Sequence, residues 1–392
     1  MNHALRSIAG VCVFVFAALS ISQFSRVLGD VGSILEFLAK GAAAVCAIGA
    51  AILALVTRHK FKIRLVPLSL LLLLGLATAS LAWSYDRVET IKALGGLMLC
   101  ISIANMVAND DITESYVFSC VGAGLLLMTI LSLAAGAAQV PNTWEFKDGL
   151  WRLAGLTYGP HAIARAAVFV FAIALLRERS GWRWGFFCAV LFVLAVVACV
   201  ESSSRQSFGL LGLSCFIWAW RRFGPRASLI TVGLLVALAF IVIGLGGISF
   251  DKVLSPLARE DVNDVLTLTN RTRVWDVVSS TLIDNPVLGI GFGSGASFLL
   301  EYFSLESGWT TTTTHNMFLQ VLLELGAVGL IAYAFLLFQM SATAVRQRSP
   351  LIVFVVLSCW MLSPVENALA ATPDYLFLLA SVGMVGRTRL VR

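Results

Sequence analysis

The amino-acid sequence predicts an all-α protein that crosses a membrane many times. Of its 392 residues, 59% are hydrophobic and 13% are charged, and the apolar residues collect in long uninterrupted runs. An α-helix needs about 20 such residues to cross the hydrocarbon core of a bilayer, and many of the runs reach that length. The composition therefore excludes an ordinary soluble enzyme and places the functional residues in or beside a membrane.

About twelve segments are long and apolar enough to be transmembrane helices. They lie near residues 7–24, 33–56, 64–83, 91–108, 116–138, 160–177, 184–200, 205–220, 227–247, 315–341, 350–363 and 369–386. The joint from Glu201 to Gln206 is short and polar, so it is either a tight turn or a break inside one longer span. Three regions follow: 1–247 with the first nine spans, one large external loop at 248–314, and 315–392 with the last three.

Basic residues predict the orientation of these spans. If every span crosses once, most of the bases fall on one side: Arg6, Arg58, Lys60, Lys62, Arg64, Arg177, Arg179, Arg183, Arg221, Arg222, Arg226, Arg346, Arg348, Arg387, Arg389 and Arg392. Cytoplasmic loops are enriched in lysine and arginine, so we expect both termini in the cytoplasm. The loop at 109–115 carries no base and departs from the pattern. The net charge of +6 then reflects anchoring at anionic headgroups rather than a nucleic-acid surface.

Cysteine and acid patterns predict neither a disulfide framework nor a metal site. All eight cysteines lie inside proposed spans, where no external bridge can form. On the external side, Glu260 and Asp261 are adjacent, and no pair of acids has the spacing of metal ligands. We therefore expect no bound metal and no cofactor.

Two external segments remain between the spans. The shorter, at 139–159, contains Trp151 and Arg152. The longer, at 248–314, is too long for a structureless connection. Within it, Asn270 is a good cap, and the pattern that follows predicts a helix that ends at Asn285-Pro286. A second, shorter helix is predicted over Leu254 to Leu268.

A glycine-rich stretch follows that helix, with glycines alternating from Gly289 to Gly295. Alternate glycines permit a tight turn and a close approach of the backbone. The stretch lacks the lysine and the hydroxyl residue of a P-loop, so the sequence does not favour a nucleotide-binding site there.

The charged side chains near or within the spans are the candidate functional residues: Lys40, Arg165, Arg205, Arg271, Arg273, His315 and Glu324. Each has a structural alternative, namely a surface ion pair, an arginine reaching to the headgroups, a pair with a neighbouring helix, or a helix-capping histidine. As a group, they suit an anionic lipid headgroup and a proton transfer beside it. One arginine guanidinium can bind two phosphate oxygens at once, and it can neutralise a pyrophosphate leaving group without a metal. Histidine can take up or release a proton near neutral pH.

Four stretches resemble the O-antigen ligase and polymerase superfamily, which includes exopolysaccharide polymerases. They are the block from Leu268 to Gly293, the segment Thr314-His315-Asn316 with Leu323-Glu324-x-Gly326-x-x-Gly329, Ser204-Arg205 in its serine-rich turn, and Trp151-Arg152 before Pro160. The resemblance is strongest across about 150–340. Asn270, Gln206 and His161 depart from it, since glycine, glycine and asparagine are usual at those positions.

This resemblance implies a membrane glycosyltransferase of the GT-C helical type in the bacterial inner membrane, with the large loop in the periplasm. Its donor would be an undecaprenyl-pyrophosphate-linked glycan, transferred with inversion and without a metal to a glycan or lipid-linked hydroxyl. Arg205 and Arg271 would bind the pyrophosphate, with Arg273 as a second choice, and His315 would be the general base or orient the acceptor. Supporting roles fall on Arg152, His161, Arg165 and Asn316.

Several alternatives stay open at the level of sequence. Within the family, the product is either a polymer of repeats, with a chain-length regulator as a partner, or a glycan ligated to lipid A core. A solute transporter would be expected to show broken helices or a repeat with a midplane site. A flippase would need a cationic cavity across the membrane, which only Lys40 and Arg165 could line.

Overall fold

The computed structural model describes residues 2–34, 38, 41, 66–108, 112–147, 150–177, 181–245, 271–306, 311–367, 369–370 and 373–385. Several predicted features lie outside this part of the chain. They are Lys40, most of the span at 33–56, the basic cluster from Arg58 to Arg64, the C-terminal bases and the helix over Leu254 to Leu268.

Helices make up most of the described chain. They include α1 (Asn2–Ser20), α2 (Leu68–Ala79, followed by a 3₁₀ turn at Ser80–Ala82), α3 (Arg87–Ala108), α4 (Glu114–Ala137), α5 (Pro160–Leu175), α6 (Trp182–Glu201), α7 (Arg205–Leu245), α8 (Arg271–Asp284), α9 (Gly295–Glu306), α10 (Met317–Gln347), α11 (Pro350–Leu362) and α12 (Tyr375–Val385). Prolines open α5 and α11, where the ring presets φ and the missing N–H is not needed.

Most predicted spans coincide with one of these helices. The joint at Glu201–Gln206 is a tight turn, because α6 ends at Glu201 and α7 begins at Arg205. Gly224, with φ 83°, and Pro225 interrupt α7, near the predicted boundary between two spans. In α10, a second interruption at Gly326 was not predicted.

Four described helices are long and apolar enough to cross a membrane: α3, α4, α6 and α10. The other apolar helices, α1, α2, α5, α11 and α12, have apolar stretches of 10–17 residues. The chain is therefore a helical protein built for a membrane. The number of about twelve crossings, their orientation and the GT-C arrangement stay predictions.

A β-hairpin corrects the all-α prediction. Strands β1 (Trp144–Lys147) and β2 (Leu150–Leu153) pair antiparallel, with Phe146 opposite Trp151. The two rings pack 5.2 Å apart between centroids, and both are exposed. Aromatic residues on either side of Asp148-Gly149 are a hairpin signal in the sequence.

The chain divides into two compact units, each described by itself. The first comprises residues 1–16, 40–120 and 270–392, and the second comprises 17–39 and 121–269. In the first unit, α8 packs on α10 through a core of Val274, Val277, Val278, Ile290, Leu299, Phe303 and Leu323. In the second, α5 is buried along nearly its whole length against α6 and α7.

Candidate functional site

Helix α8 carries two of the predicted arginines on its first turn. The helix is described over Arg271–Asp284, and it ends before Asn285-Pro286, as the sequence indicated. Its valine face is buried, whereas Arg273 is exposed and Arg271 is half-buried. The guanidinium of Arg273 lies over the ring of Phe303, 5.8 Å from its centroid. This cation–π contact orients Arg273 while leaving it at the surface.

The indole of Trp275 fixes the arginine helix to the histidine segment. Its Nε1 donates to the carbonyl oxygen of Thr314 at 2.9 Å. Thr314 directly precedes His315 in the sequence. One hydrogen bond therefore connects the helix of Arg271 and Arg273 to the residue beside the predicted base.

His315 is half-buried and has a left-handed backbone conformation, with φ 52°. Residues other than glycine adopt this conformation infrequently, and such strain collects at functional sites. The next residue, Asn316, caps α10: its Oδ1 accepts from the N–H groups of Phe318 at 2.9 Å and Leu319 at 3.2 Å. Asn316, predicted as a supporting residue, thus defines where the helix starts and how His315 enters it.

Helix α10 is interrupted three turns later, at Gly326. The glycine-rich stretch supplies hydrogen-bond partners for the backbone groups at this break. The N–H groups of Ile290 and Gly291 donate to the carbonyls of Leu323 and Glu324 at 2.9 and 2.8 Å. In the reverse direction, Ala327 and Val328 donate to the carbonyls at 286 and 287, at 3.0 and 3.3 Å. Every backbone group inside a membrane protein needs such a partner, so the two predicted motifs form one structural feature.

Glycine is required at this contact. Gly326 has φ 60° and ψ −159°, a combination essentially restricted to glycine. A Cβ there would lie 2.3 Å from the backbone of Val287. In the glycine-rich stretch, Gly289 has φ 64°, and a Cβ there would lie 2.6 Å from the carbonyl oxygen of Leu323. The glycines at this contact therefore allow close backbone packing.

The turn between α2 and α3 supports the other side of the glycine-rich stretch. The N–H of Tyr85 donates to the carbonyl of Ile290 at 2.8 Å, and the Oγ of Ser84 lies 2.7 Å from that of Ser294. Asp86 accepts from Ser297 Oγ at 2.8 Å, and this hydrogen bond lowers the pKa of the Asp86 carboxyl from its usual range. The first turn of α9 is thereby joined to the start of α3.

Glu324, which the sequence favoured as simple helix packing, has polar partners. It is buried, and its Oε2 accepts from the N–H of Gly293 at 2.9 Å while Oε1 accepts from Gln320 Nε2 at 2.6 Å. The carboxylate therefore lies at the break, between the two motifs. Sequence reasoning missed Gln320 altogether, although its spacing of one turn from Glu324 was the available signal.

In the second unit, Arg205 begins α7 directly after a serine-rich turn. Ser203 has φ 49°, and the N–H of Ser204 donates back to the carbonyl of Cys199 at 3.1 Å. This is the hydrogen bond that closes a helix through a left-handed residue. The turn buries Ser204 and leaves Arg205 exposed at the first position of the next helix.

His161 lies against the same turn. Its Nδ1 is 3.2 Å from the Oγ of Ser204, which in turn lies 2.8 Å from the Oγ of Ser207. The structure therefore places His161, predicted as a supporting residue, beside the residue that precedes Arg205. His161 departs from the family pattern, and it has a polar partner here.

Arg152 and Arg165 are buried, with 4% and 5% of their surfaces exposed. Arg165 lies on α5 and donates to the hydroxyl of Tyr158. Arg152 lies on β2, opposite Glu145 in the hairpin register. Buried arginines need hydrogen-bonding partners, and neither residue reaches out to the headgroups as a surface arginine would.

The predicted site residues thus fall into two groups. His315, Asn316, Arg271 and Arg273 belong to the first unit, and Arg152, His161, Arg165 and Arg205 belong to the second. Their assignment to one substrate stays a prediction. Among the described residues, no three His, Cys, Asp or Glu side chains gather in a group that could hold a metal ion.

Comparison with known proteins places the first group inside a recognised region. Residues 190–334 match the family model described as O-antigen ligase. A protein of Rickettsia conorii with the provisional name polysaccharide ligase is 26% identical over 161 residues. That alignment covers 38% of this chain and 38% of the relative, so it spans well under half of either protein.

Both matches confirm the resemblance that the motifs indicated. The family region includes Arg205, Arg271, Arg273, His315 and Glu324. It also includes the contact between the glycine-rich stretch and the break in α10. Arg152, His161 and Arg165 lie before it.

Proposed function

We propose that this protein, similar to the O-antigen ligase superfamily over its central region, is a membrane glycosyltransferase that polymerises undecaprenyl-pyrophosphate-linked oligosaccharides. The reaction would take place at the periplasmic face of the inner membrane. The observation that carries the proposal is the hydrogen bond from Trp275 to Thr314 at 2.9 Å, inside the matched region. It joins an arginine-bearing helix turn to a strained histidine.

The proposed mechanism is direct displacement with inversion. His315 takes the proton from the acceptor hydroxyl as that oxygen attacks the anomeric carbon of the donor. The bond from this carbon to the pyrophosphate oxygen breaks, and undecaprenyl pyrophosphate leaves with its electron pair. Arg271 neutralises the charge that develops on the leaving group, and Arg273 is the second candidate for this role. From the resemblance, we assign Arg205 as a further phosphate ligand.

Pre-organisation is the physical argument for this assignment. The strained conformation of His315, with φ 52°, is held on one side by Thr314 and on the other by the capping residue Asn316. A base that is already oriented loses little entropy when the acceptor binds. An arginine such as Arg273, held over a ring, presents its fork to phosphate oxygens in a limited set of directions.

Ligation of the glycan to a lipid acceptor is the second candidate function. It is favoured by the names of both matches, which are ligases. The donor chemistry is the same, so the two functions differ only in the acceptor. Purified protein with lipid-linked repeats alone would lengthen them if it is a polymerase. A ligase would release undecaprenyl pyrophosphate only when lipid A core is added, and a transporter or flippase would leave the covalent structure unchanged.

Replacing Arg271 with alanine is expected to lower turnover about 100-fold, because one charge-neutralising donor is lost from the transition state. Arg271→Lys is expected to recover part of this activity, since lysine keeps the charge but not the paired geometry. The measurement is the rate of undecaprenyl pyrophosphate release by purified protein.

The matched control is Arg183→Ala, which removes an exposed arginine stacked on Trp182 at 5.7 Å. Its rate is expected to match wild type. Equal rates for Arg271→Ala and the control, at equal protein amounts in the membrane, would remove Arg271 from the site.

Excess chelator is expected to leave the activity of the purified protein unchanged, because arginines replace a metal in the proposed mechanism. The assay compares product formation with and without chelator, before and after Mg²⁺ is added back. Loss of activity on chelation, with recovery on addition of the ion, would overturn the arginine-only mechanism.

A further inference from the structure

A continuous chain of hydrogen bonds runs from the break in α10 to the residue before His315. Gln320 Nε2 donates to Glu324 Oε1 at 2.6 Å, and Gln320 Oε1 accepts from the N–H of Thr314 at 3.2 Å. The same Gln320 oxygen accepts from Asn367 Nδ2 at 3.1 Å. Both Gln320 and Glu324 are buried away from water, so these hydrogen bonds fix the orientation of their side chains.

The glycine-rich stretch determines which groups donate and which accept along this series of hydrogen bonds. Glu324 Oε2 accepts from the N–H of Gly293 at 2.9 Å, and Oε1 accepts from Gln320 Nε2 at 2.6 Å. An acceptor-only carboxylate fits both donors, and it obliges Gln320 to point its amide nitrogen toward Glu324. The amide oxygen of Gln320 is therefore left to face Thr314.

Thr314 is held at each of its polar groups. Its N–H donates to Gln320, its carbonyl accepts from Trp275, and its Oγ1 donates to the carbonyl of Asn316 at 2.7 Å. Because Asn316 caps α10, both neighbours of His315 are fixed. The left-handed backbone of His315 costs free energy, and it persists only where surrounding contacts impose it.

We propose that Gln320 and Glu324 are positioning residues that hold His315 in its working orientation through Thr314. Neither side chain is assigned a contact with substrate. This inference rests on the proposed function, since it takes His315 as the base. It adds a role for the glycine-rich stretch, which aligns the carboxylate and through it the loop that carries the base.

The variant Glu324→Gln tests whether the donor and acceptor order of these hydrogen bonds matters. The amide nitrogen introduced at position 324 must turn away from the N–H of Gly293 and toward Gln320. The Gln320 amide then flips, and its nitrogen faces the N–H of Thr314. We expect turnover to fall about 100-fold, as for a base displaced by about 1 Å, while the KM for the lipid-linked donor stays within about 2-fold because Arg271 is not disturbed.

The reversed pair, Gln320→Glu with Glu324→Gln, restores every hydrogen bond. The carboxylate introduced at position 320 accepts from Thr314, from Asn367 and from the amide nitrogen introduced at position 324. The oxygen of that introduced amide then accepts from the N–H of Gly293. We therefore expect the double variant to recover at least about 10-fold of the activity lost in Glu324→Gln. If Glu324 were needed for its charge at that position, or only for packing, the double variant would not recover activity.

The control is Gln339→Leu, since Gln339 lies on the same helix but bonds to Ser69 Oγ at 2.6 Å. Its turnover is expected to match wild type. The assay is undecaprenyl pyrophosphate release at equal amounts of membrane-inserted protein, with His315→Ala measured beside it. If Glu324→Gln inserts poorly, turnover is compared per amount of inserted protein, and recovery of that turnover in the reversed pair supports the inference.

Wild-type turnover in Glu324→Gln, or a reversed pair as inactive as the single variant, overturns the positioning role. If His315→Ala is inactive in that experiment, the proposed function stands and only this inference fails. If His315→Ala keeps wild-type activity, the proposed base is wrong, whatever the pair variants do.

Discussion

Replacing His315 with alanine is expected to abolish glycan assembly while the protein still inserts into the membrane at a normal level. A general base contributes about 10²- to 10⁴-fold to the rate, so residual product should lie near the limit of detection. Folding should be little affected, because alanine removes no core side chain: His315 is half-buried and lies ahead of the helix cap. The measurement is polymer amount and length in cells, together with turnover of purified protein.

Thr312→Ala is the matched control, since Thr312 is exposed and lies in the same segment three residues earlier. It is expected to behave as wild type. If His315→Ala and Thr312→Ala both sustain polymer of wild-type length and amount, His315 is a capping or interface histidine and the base must be sought elsewhere.

Replacing Gly326 with alanine is expected to destabilise the protein and to abolish activity with it. The φ and ψ of Gly326 cost a residue with a side chain about 1–3 kcal/mol. In addition, the new Cβ would lie 2.3 Å from the backbone of Val287. The glycine-rich stretch must then move off α10, which opens the backbone hydrogen bonds at the break. We expect a lower melting temperature in detergent and a loss of turnover in any protein that folds.

Gly75→Ala provides the comparison. Gly75 lies inside α2, and a Cβ there would meet no atom within 4 Å. Alanine is the better helix former by about 1 kcal/mol, so this variant should melt at or above the wild-type temperature. Equal melting temperatures for the two variants would show that the break at Gly326 contributes nothing to stability.

Local sequence signals were sufficient for most of the helices. The end of α8 at Asp284, before Asn285-Pro286, was predicted from the proline alone. The turn between α6 and α7 followed from a short polar joint. These features are decided by neighbours in the chain, which is why a single sequence contains them.

Long-range contacts were beyond such reasoning. The motif around Gly326 and the stretch from Gly289 were both identified, yet nothing in either indicated that one completes the backbone of the other. The same holds for the hydrogen bond between Gln320 and Asn367, which lie 47 residues apart. A hydrogen bond between residues far apart in the chain requires the fold before it can be recognised.

By itself, the sequence determined that this is a helical membrane protein, that a histidine directly precedes one of its apolar helices, and that its motifs resemble O-antigen ligases. Hydrophobic run length, capping residues and residue order are enough for those conclusions, because each is a local property. The tertiary structure decided why His315 has the conformation it has and what the glycines are for. Burial is the physical reason: once Glu324, Gln320 and a broken helix are removed from water, each polar group must find a partner within the protein, and those partners orient the histidine segment.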